Sequence, residues 1–317
     1  MTATETLKER VSVAVTVSGR DPLEARGLLA TVLTWGRMVK FSHSVFALPF
    51  AVSGAVLAAV GHGITRAQVL WIVAAMVFAR NAAMGFNRLA DHDLDARNPR
   101  TSGRELPAGR LSRTAVGWFT FCLAALFVVS AFALNRTCGL LSPLALGIVF
   151  GYSYTKRFTW ASHLFLGLSL AIAPVGGWLA VRGSFSLVPW LLALAVLAWV
   201  AGFDVIYACQ DVEFDRRSGL HSIPERFGIE RALGLARGFH AATIAAMAGV
   251  GIAARLHPVY WLGVAVITFL LVFEHRLVRS DELSRLSVAF LNMNAVIGVV
   301  YLAAILAAVL LPSAAGS

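Results

Sequence analysis

The chain has 317 residues, 58% of them hydrophobic and 14% charged, with a mean hydropathy of +0.74. A soluble domain carries roughly a quarter charged residues, so the composition excludes an ordinary soluble enzyme, a disordered regulator and a secreted disulfide scaffold. It points to a polytopic membrane protein whose main solvent is lipid.

Residues 1–35 are mixed in charge (Lys8, Arg10, Asp21, Glu24, Arg26) and read as a tail or interfacial segment, without the pattern of a cleavable signal peptide. The membrane domain is assigned to residues 36–312. A bilayer span needs about 20 apolar residues, and nine runs qualify: 41–61, 67–86, 114–134, 139–155, 163–181, 187–209, 233–253, 257–274 and 287–311. The expected fold is all-α, with nine transmembrane helices around a central, lipid-accessible cavity capped on the cytoplasmic side. The fourth run contains Pro143 and is expected to tilt or kink. Cys122, Cys138 and Cys209 lie in or beside apolar runs with no CxxC pair, and read as small core residues.

Of the 27 Lys and Arg, 21 fall on the side of the N-terminal segment, four on the other side and two within runs. The positive-inside rule then places the N-terminus in the cytoplasm and, with nine crossings, the C-terminus outside, as in an inner-membrane protein. The same rule accounts for the net charge of +10. The arginines occupy short loops rather than one basic stripe, so nucleic acid is not an expected partner, and no obligatory protein partner is evident. All 17 Asp and Glu also lie on, or at depth near, the cytoplasmic face, a bias that the rule does not explain.

Two acidic segments follow apolar runs and lead into Arg-rich loops. In the first, Asn87, Asp91 and Asp95 recur at i, i+4, i+8, which on one helix forms a single stripe of oxygen donors. In the second, Asp211 and Asp215 repeat the spacing, and Asp204 lies two turns earlier, deeper toward the apolar run. Carboxylates at such depth are costly and mark sites. Oxygen-only ligands suit Mg²⁺, which shares its coordination with substrate phosphates. The Gly/Pro-punctuated loop carrying Arg100 and Arg104, and the pair Lys156–Arg157, supply cations for an oligophosphate held between the rows. The two segments start about 120 residues apart, a weak internal echo.

The segments NRLADHDLD and DVIYACQDVEFD, with NPRTSGRELPAGRLS, GYSYTKRFTW and GLHSIPERFG, resemble the UbiA superfamily of intramembrane prenyltransferases over residues 35–311. The resemblance implies two facing Asp-rich segments at the cavity mouth. Asn87, Asp91, Asp95, Asp211 and Asp215 would hold Mg²⁺ on a polyprenyl diphosphate, Asp91, Asp204 and Tyr207 would serve the chemistry in the cavity, and Lys156 and Arg157 would contact the diphosphate. The family often has Lys where this chain has His221, so no diphosphate role is carried onto that residue. The segment around Lys40 and His43 is similar to members that prenylate aromatic hydroxy acids for quinone synthesis, with Lys40, His43 or an arginine meeting the acceptor carboxylate. Two acceptors stay open: 4-hydroxybenzoate, taken as the expectation, and a dihydroxynaphthoate of menaquinone synthesis. A cation-coupled transporter is the rival reading from another class, since intramembrane acids also serve as ion sites.

Overall fold

The computed structural model describes residues 27–39, 48–278 and 287–311. Every regular element among them is helical. In lipid a helix satisfies its own backbone polar groups, which is why a chain this apolar folds that way.

Helix α1 (Leu28–Met38) is followed by α2 (Leu48–Ala59) and α3 (Arg66–Ala90). A short α4 (His92–Arg97) and an irregular loop lead to α5 (Arg113–Leu134), α6 (Arg136–Thr155), α7 (Ser162–Arg182) and α8 (Leu187–Ala208). Two short helices, α9 (Val212–Ser218) and α10 (Ile223–Phe227), precede α11 (Ile229–Ala253), α12 (Val259–Leu277) and α13 (Ser287–Leu310). Eight of these helices are long and apolar enough to cross a bilayer. The remaining expected span is represented by α2, which is 12 residues long; positions 40–47 before it, with Lys40 and His43, lie outside the described residues. Helix α1 runs across position 35, where the tail was expected to end.

The starts of the helices follow their sequence. Thr65 caps α3 in a full capping box with Gln68, and Ser112 and Asn135 cap α5 and α6 through their side chains. Pro143 does not interrupt α6, which is continuous over 20 residues. Of the cysteines, Cys209 is buried, Cys138 half-buried and Cys122 exposed; Cys122 is therefore not the core residue its apolar surroundings suggested. It lies on an outward face of α5, where lipid would replace protein as its apolar neighbour.

Helices α2, α7 and α8 form the centre, with α3, α5 and α6 on one side and α11, α12 and α13 on the other. Of the eight long helices α8 is the most buried. Its Trp199 has no exposed surface and packs tilted against Phe50 and edge-on to Phe203, with ring centroids 5.0 and 5.2 Å away. The α2–α7 crossing depends on glycine. A Cβ at Gly54 would lie 2.1 Å from the Pro174 carbonyl oxygen, and one at Gly177 would lie 2.0 Å from that of Ala51. Membrane helices lack a hydrophobic drive toward one another and gain their contact from such close approach of small residues.

The neighbouring glycine provides a control, because a Cβ at Gly176 would meet nothing within 4 Å. Gly177→Ala is expected to cost about 1–3 kcal/mol through forced backbone separation, whereas Gly176→Ala leaves the helix contact unchanged; thermal unfolding of the two variants in detergent checks this.

Candidate functional site

The two acidic segments share one backbone device. Helix α3 ends at Ala90 and Asp91 sits at a break, with φ −97° and ψ 7°, before α4 begins. Helix α8 ends at Ala208, and Asp211 sits at the matching break, with φ −104° and ψ 4°, before α9. Both residues occupy the sparsely populated bridge region, where active-site residues recur. Each carbonyl then accepts from the N–H four residues on: Asp95 to Asp91 at 2.7 Å and Asp215 to Asp211 at 2.8 Å. The stripes read from the sequence as single helical faces are thus interrupted at their middle acid, and the last acid of each row lies on a separate short helix.

In the first row the Asn87 amide donates to Asp91 Oδ2 at 2.9 Å and to Ser153 Oγ at 3.4 Å. Arg157 Nη2 stands 3.7 Å from Asp91 Oδ1 and donates to the Ala90 carbonyl. Asp95 is buried; Arg104 Nη1 donates to both of its oxygens at 2.7 Å, and Arg88 Nη1 lies 3.9 Å away. In the second row Arg100 reaches across from the loop after the first segment and grips Asp211 bidentately, Nε to Oδ1 at 3.1 Å and Nη2 to Oδ2 at 2.6 Å. Asp215 is 2% exposed, and its Oδ2 has no hydrogen-bond partner among the described residues.

The rows therefore lie close enough for one loop to touch both, through Arg104 on Asp95 and Arg100 on Asp211. Lys156 acts electrostatically on Asp91, Asp204 and Asp215 together, and among the described residues it forms no ion pair of its own. Burial pushes the Asp91 carboxyl above its ordinary value, the Asp95 charge adds to that, and Lys156 and Arg157 pull the other way. Burial likewise raises Asp215, with Lys156 opposing. Asp93 is fully exposed and held low by its hydrogen bond with His92 and by Arg113, which sets it apart from the rows.

Behind this mouth lies an apolar cavity of about 520 Å³. Tyr152 and Tyr207 line it near the acids, Phe203 and Phe127 along its length, and Trp190 and Phe185 toward the opposite face. Arg80 also lines it and donates to the Val39 carbonyl at 2.9 Å. Sequence reading noted Arg80 within a span without assigning it a role; an arginine seven residues before Asn87, two turns deeper on the same helix, was the available signal.

Two further polar groups escaped the sequence reading. His163, without exposed surface, lies 2.6 Å from Asp204 through Nδ1. Glu274, also fully buried, accepts from Asn294 at 3.5 Å, and Asn294 accepts from Trp199 Nε1 at 3.0 Å. Both pairings join residues tens of positions apart, so no local spacing reveals them.

The Asp95–Arg104 pair carries its own test. Arg104→Ala leaves a buried carboxylate with only the more distant Arg88, and is expected to cost on the order of 2–4 kcal/mol. Arg216→Ala, whose partner Glu213 is 3.5 Å away with both side chains largely exposed, stays within about 1 kcal/mol. Thermal shifts of the two variants check the difference.

Comparison with known proteins bears on the family and the fold. The UbiA prenyltransferase family matches residues 47–296. The chain is 30% identical over 236 residues to a 4-hydroxybenzoate octaprenyltransferase of Photobacterium profundum, covering 73% of this chain and 81% of the relative. It is 33% identical over 232 residues to the enzyme of that name from Chromohalobacter salexigens, covering 72% and 76%. Among solved structures, the apo form of a UbiA homolog from Aeropyrum pernix superposes with a TM-score of 0.77 at 34% identity, covering 84% of this chain and 97% of that one. A UbiA homolog from Archaeoglobus fulgidus, bound to DMAPP and Mg²⁺, shares the fold at a TM-score of 0.69 and 21% identity, covering 87% and 99%. With its helical bundle, its paired acidic breaks and a family match over most of its length, the chain belongs to the UbiA prenyltransferase family of integral membrane enzymes.

Proposed function

We propose that the protein transfers a polyprenyl group from a prenyl diphosphate to the ring of an aromatic hydroxy acid, with 4-hydroxybenzoate as acceptor, in quinone synthesis. The observation that carries this reading is the joining of two acidic helix breaks, by one arginine loop and Lys156, at the mouth of a dry cavity of about 520 Å³. The acceptor assignment is supported by the names of the relatives.

The donor set fits a divalent cation. It is all oxygen, it includes the orphaned buried Asp215 Oδ2, and burial has raised Asp91 and Asp215. No group of three or more acidic, His or Cys side chains converges on a metal position among the described residues. The protein side chains alone therefore do not form a closed ligand cluster, and Mg²⁺ would complete its shell with water and substrate phosphate. Asn87, Asp91 and Asp95 on one side, and Asp211 and Asp215 on the other, would hold two Mg²⁺ ions. When bound, they would neutralise charge building on the departing diphosphate.

The chain's own residues do the rest. Lys156 and Arg157 face the diphosphate as fixed cations, while Arg100 and Arg104 exchange part of their carboxylate contact for phosphate oxygens. As the allylic C–O bond breaks, positive charge develops on the prenyl carbon. Tyr152, Phe203 and Tyr207 exclude water from it and offer aromatic faces. Tyr207 lines the cavity, and Asp204, one turn before it on α8, would serve the same step. Arg80 places a cation in the cavity wall at a depth where an acceptor carboxylate would otherwise lack a partner. The phenol ring attacks the prenyl carbon, and the ring proton is released. Exposed Leu144 and Leu168 at the cavity margin provide a lateral way for the tail into lipid.

Purified protein in micelles with Mg²⁺, labelled prenyl diphosphate and 4-hydroxybenzoate is expected to yield a lipid-extractable product of the summed mass. Asp91→Ala or Asp211→Ala should lower kcat by at least about 100-fold without loss of the helical signal. Full activity in either variant would falsify the metal assignment, and a product only with dihydroxynaphthoate would move the acceptor.

The N-terminus and the mouth are assigned to the cytoplasm and the C-terminus to the outside, from the loop charges. A tag at Ser317 should therefore be cleaved by external protease in intact cells, and protection of the tag would reverse the assignment.

A further inference from the structure

We propose that His163 is a positioning residue: it orients the Asp204 carboxylate toward the cavity mouth and ties that orientation to the cap segment beginning at His221. The proposal rests on the prenyl-transfer reading for its kinetic consequence, and on geometry alone for the tie itself.

His163 is the second residue of α7 and has no exposed surface. Its Nε2 accepts the backbone N–H of Ile223 at 3.2 Å. A backbone N–H can only donate, so Nε2 carries no proton and the ring is neutral. The proton sits on Nδ1 and is donated to Asp204 Oδ2 at 2.6 Å. A hydrogen bond to an ionised acceptor in a poorly solvated site is among the strong ones. It uses one oxygen of Asp204, and Oδ1 has no hydrogen bond among the described residues. Phe203 and Tyr207, which flank Asp204 on α8, both line the cavity.

The tie extends to the cap. His221 N–H donates to the Lys156 carbonyl at 2.8 Å. Ser222, fully buried, caps α10 through the Glu225 N–H at 3.3 Å. Ile223, 1% exposed, packs with Val205 and Ile206 on α8. The cap segment is thus pinned at both ends of the α6–α7 connection, on Lys156 and on His163. That connection carries the cation facing both acidic rows. A shift of the cap would withdraw the acceptor's partner from Nε2, release the imidazole and free Asp204 to turn. Held in place, the carboxylate presents a fixed negative charge where positive charge develops in the reaction.

The test uses the full-length protein in micelles, with two readouts. Hydrogen exchange of the backbone amides at positions 221–223 reports the tie without reference to activity. Steady-state kinetics with prenyl diphosphate and the aromatic acid report its consequence. His163→Leu, which can neither donate nor accept, is expected to speed exchange at Ile223 by about tenfold or more. It should lower kcat by about 10- to 100-fold, the usual scale for losing an orienting partner, while KM for the diphosphate stays within about threefold. His163→Gln keeps a donor and an acceptor at similar reach and is expected to recover most of both. Should His163→Leu fail to fold, His163→Asn serves instead, being polar but too short to hold both partners.

Unchanged exchange at Ile223 in the Leu or Asn variant overturns the tie. An effect on KM alone, or equal loss of kcat in Gln and Leu, overturns the positioning role. Absence of transfer by the unaltered protein sinks the functional reading instead, and leaves the exchange result to decide on the tie.

Discussion

Carboxylates at the edge of a lipid-embedded bundle persist only where cations or strong donors meet them, and that constraint organises the acidic end of this protein. Cations or donors from elsewhere in the chain meet most acids of the two rows: Arg104 on Asp95, Arg100 on Asp211, Arg157 on Asp91, which also has Asn87 of its own helix, and His163 on Asp204. Asp215 is the exception, with one buried oxygen unpaired. An unmet anionic donor in so dry a place is costly, and the cost is offset if a substrate-borne cation completes it. The fold thereby keeps a poised deficit at one point and neutralises the rest.

The backbone contributes as much as the side chains. A straight helix would carry its acids along one face. The chain instead interrupts the helices at Asp91 and Asp211, with nearly equal dihedral angles, and starts a new short helix after each. The same local solution in two places, on segments about 120 residues apart in the chain, gives physical content to the faint sequence echo. It also explains why the irregular loop between the first row and α5 is rich in Arg: one loop must neutralise carboxylates from both rows.

Much of this was legible in the sequence. Composition alone identified lipid as the solvent, because the chain has too little charge to cover a soluble body, and the spacing of Asn87, Asp91 and Asp95 and of Asp211 and Asp215 picked out the two acidic rows. The bends were not legible, since i, i+4, i+8 spacing is satisfied equally by a straight helix. Nor was the neutralising scheme: Arg100 and Arg104 are four residues apart yet serve acids 111 and nine residues away in the chain. Cys122, read as core from its apolar neighbours, faces outward, because in a membrane an apolar run says nothing about which side meets protein.

What the sequence determined by itself was solvent, helical class and the two oxygen-rich acidic rows, since all three depend on local composition and on contacts within a few turns. Only the tertiary structure decided which face of each helix borders the cavity, how α2 and α7 close on paired glycines, and that His163 and Glu274 are fully enclosed. Those outcomes depend on distances between residues remote in the chain, and such distances exist only once the helices have packed.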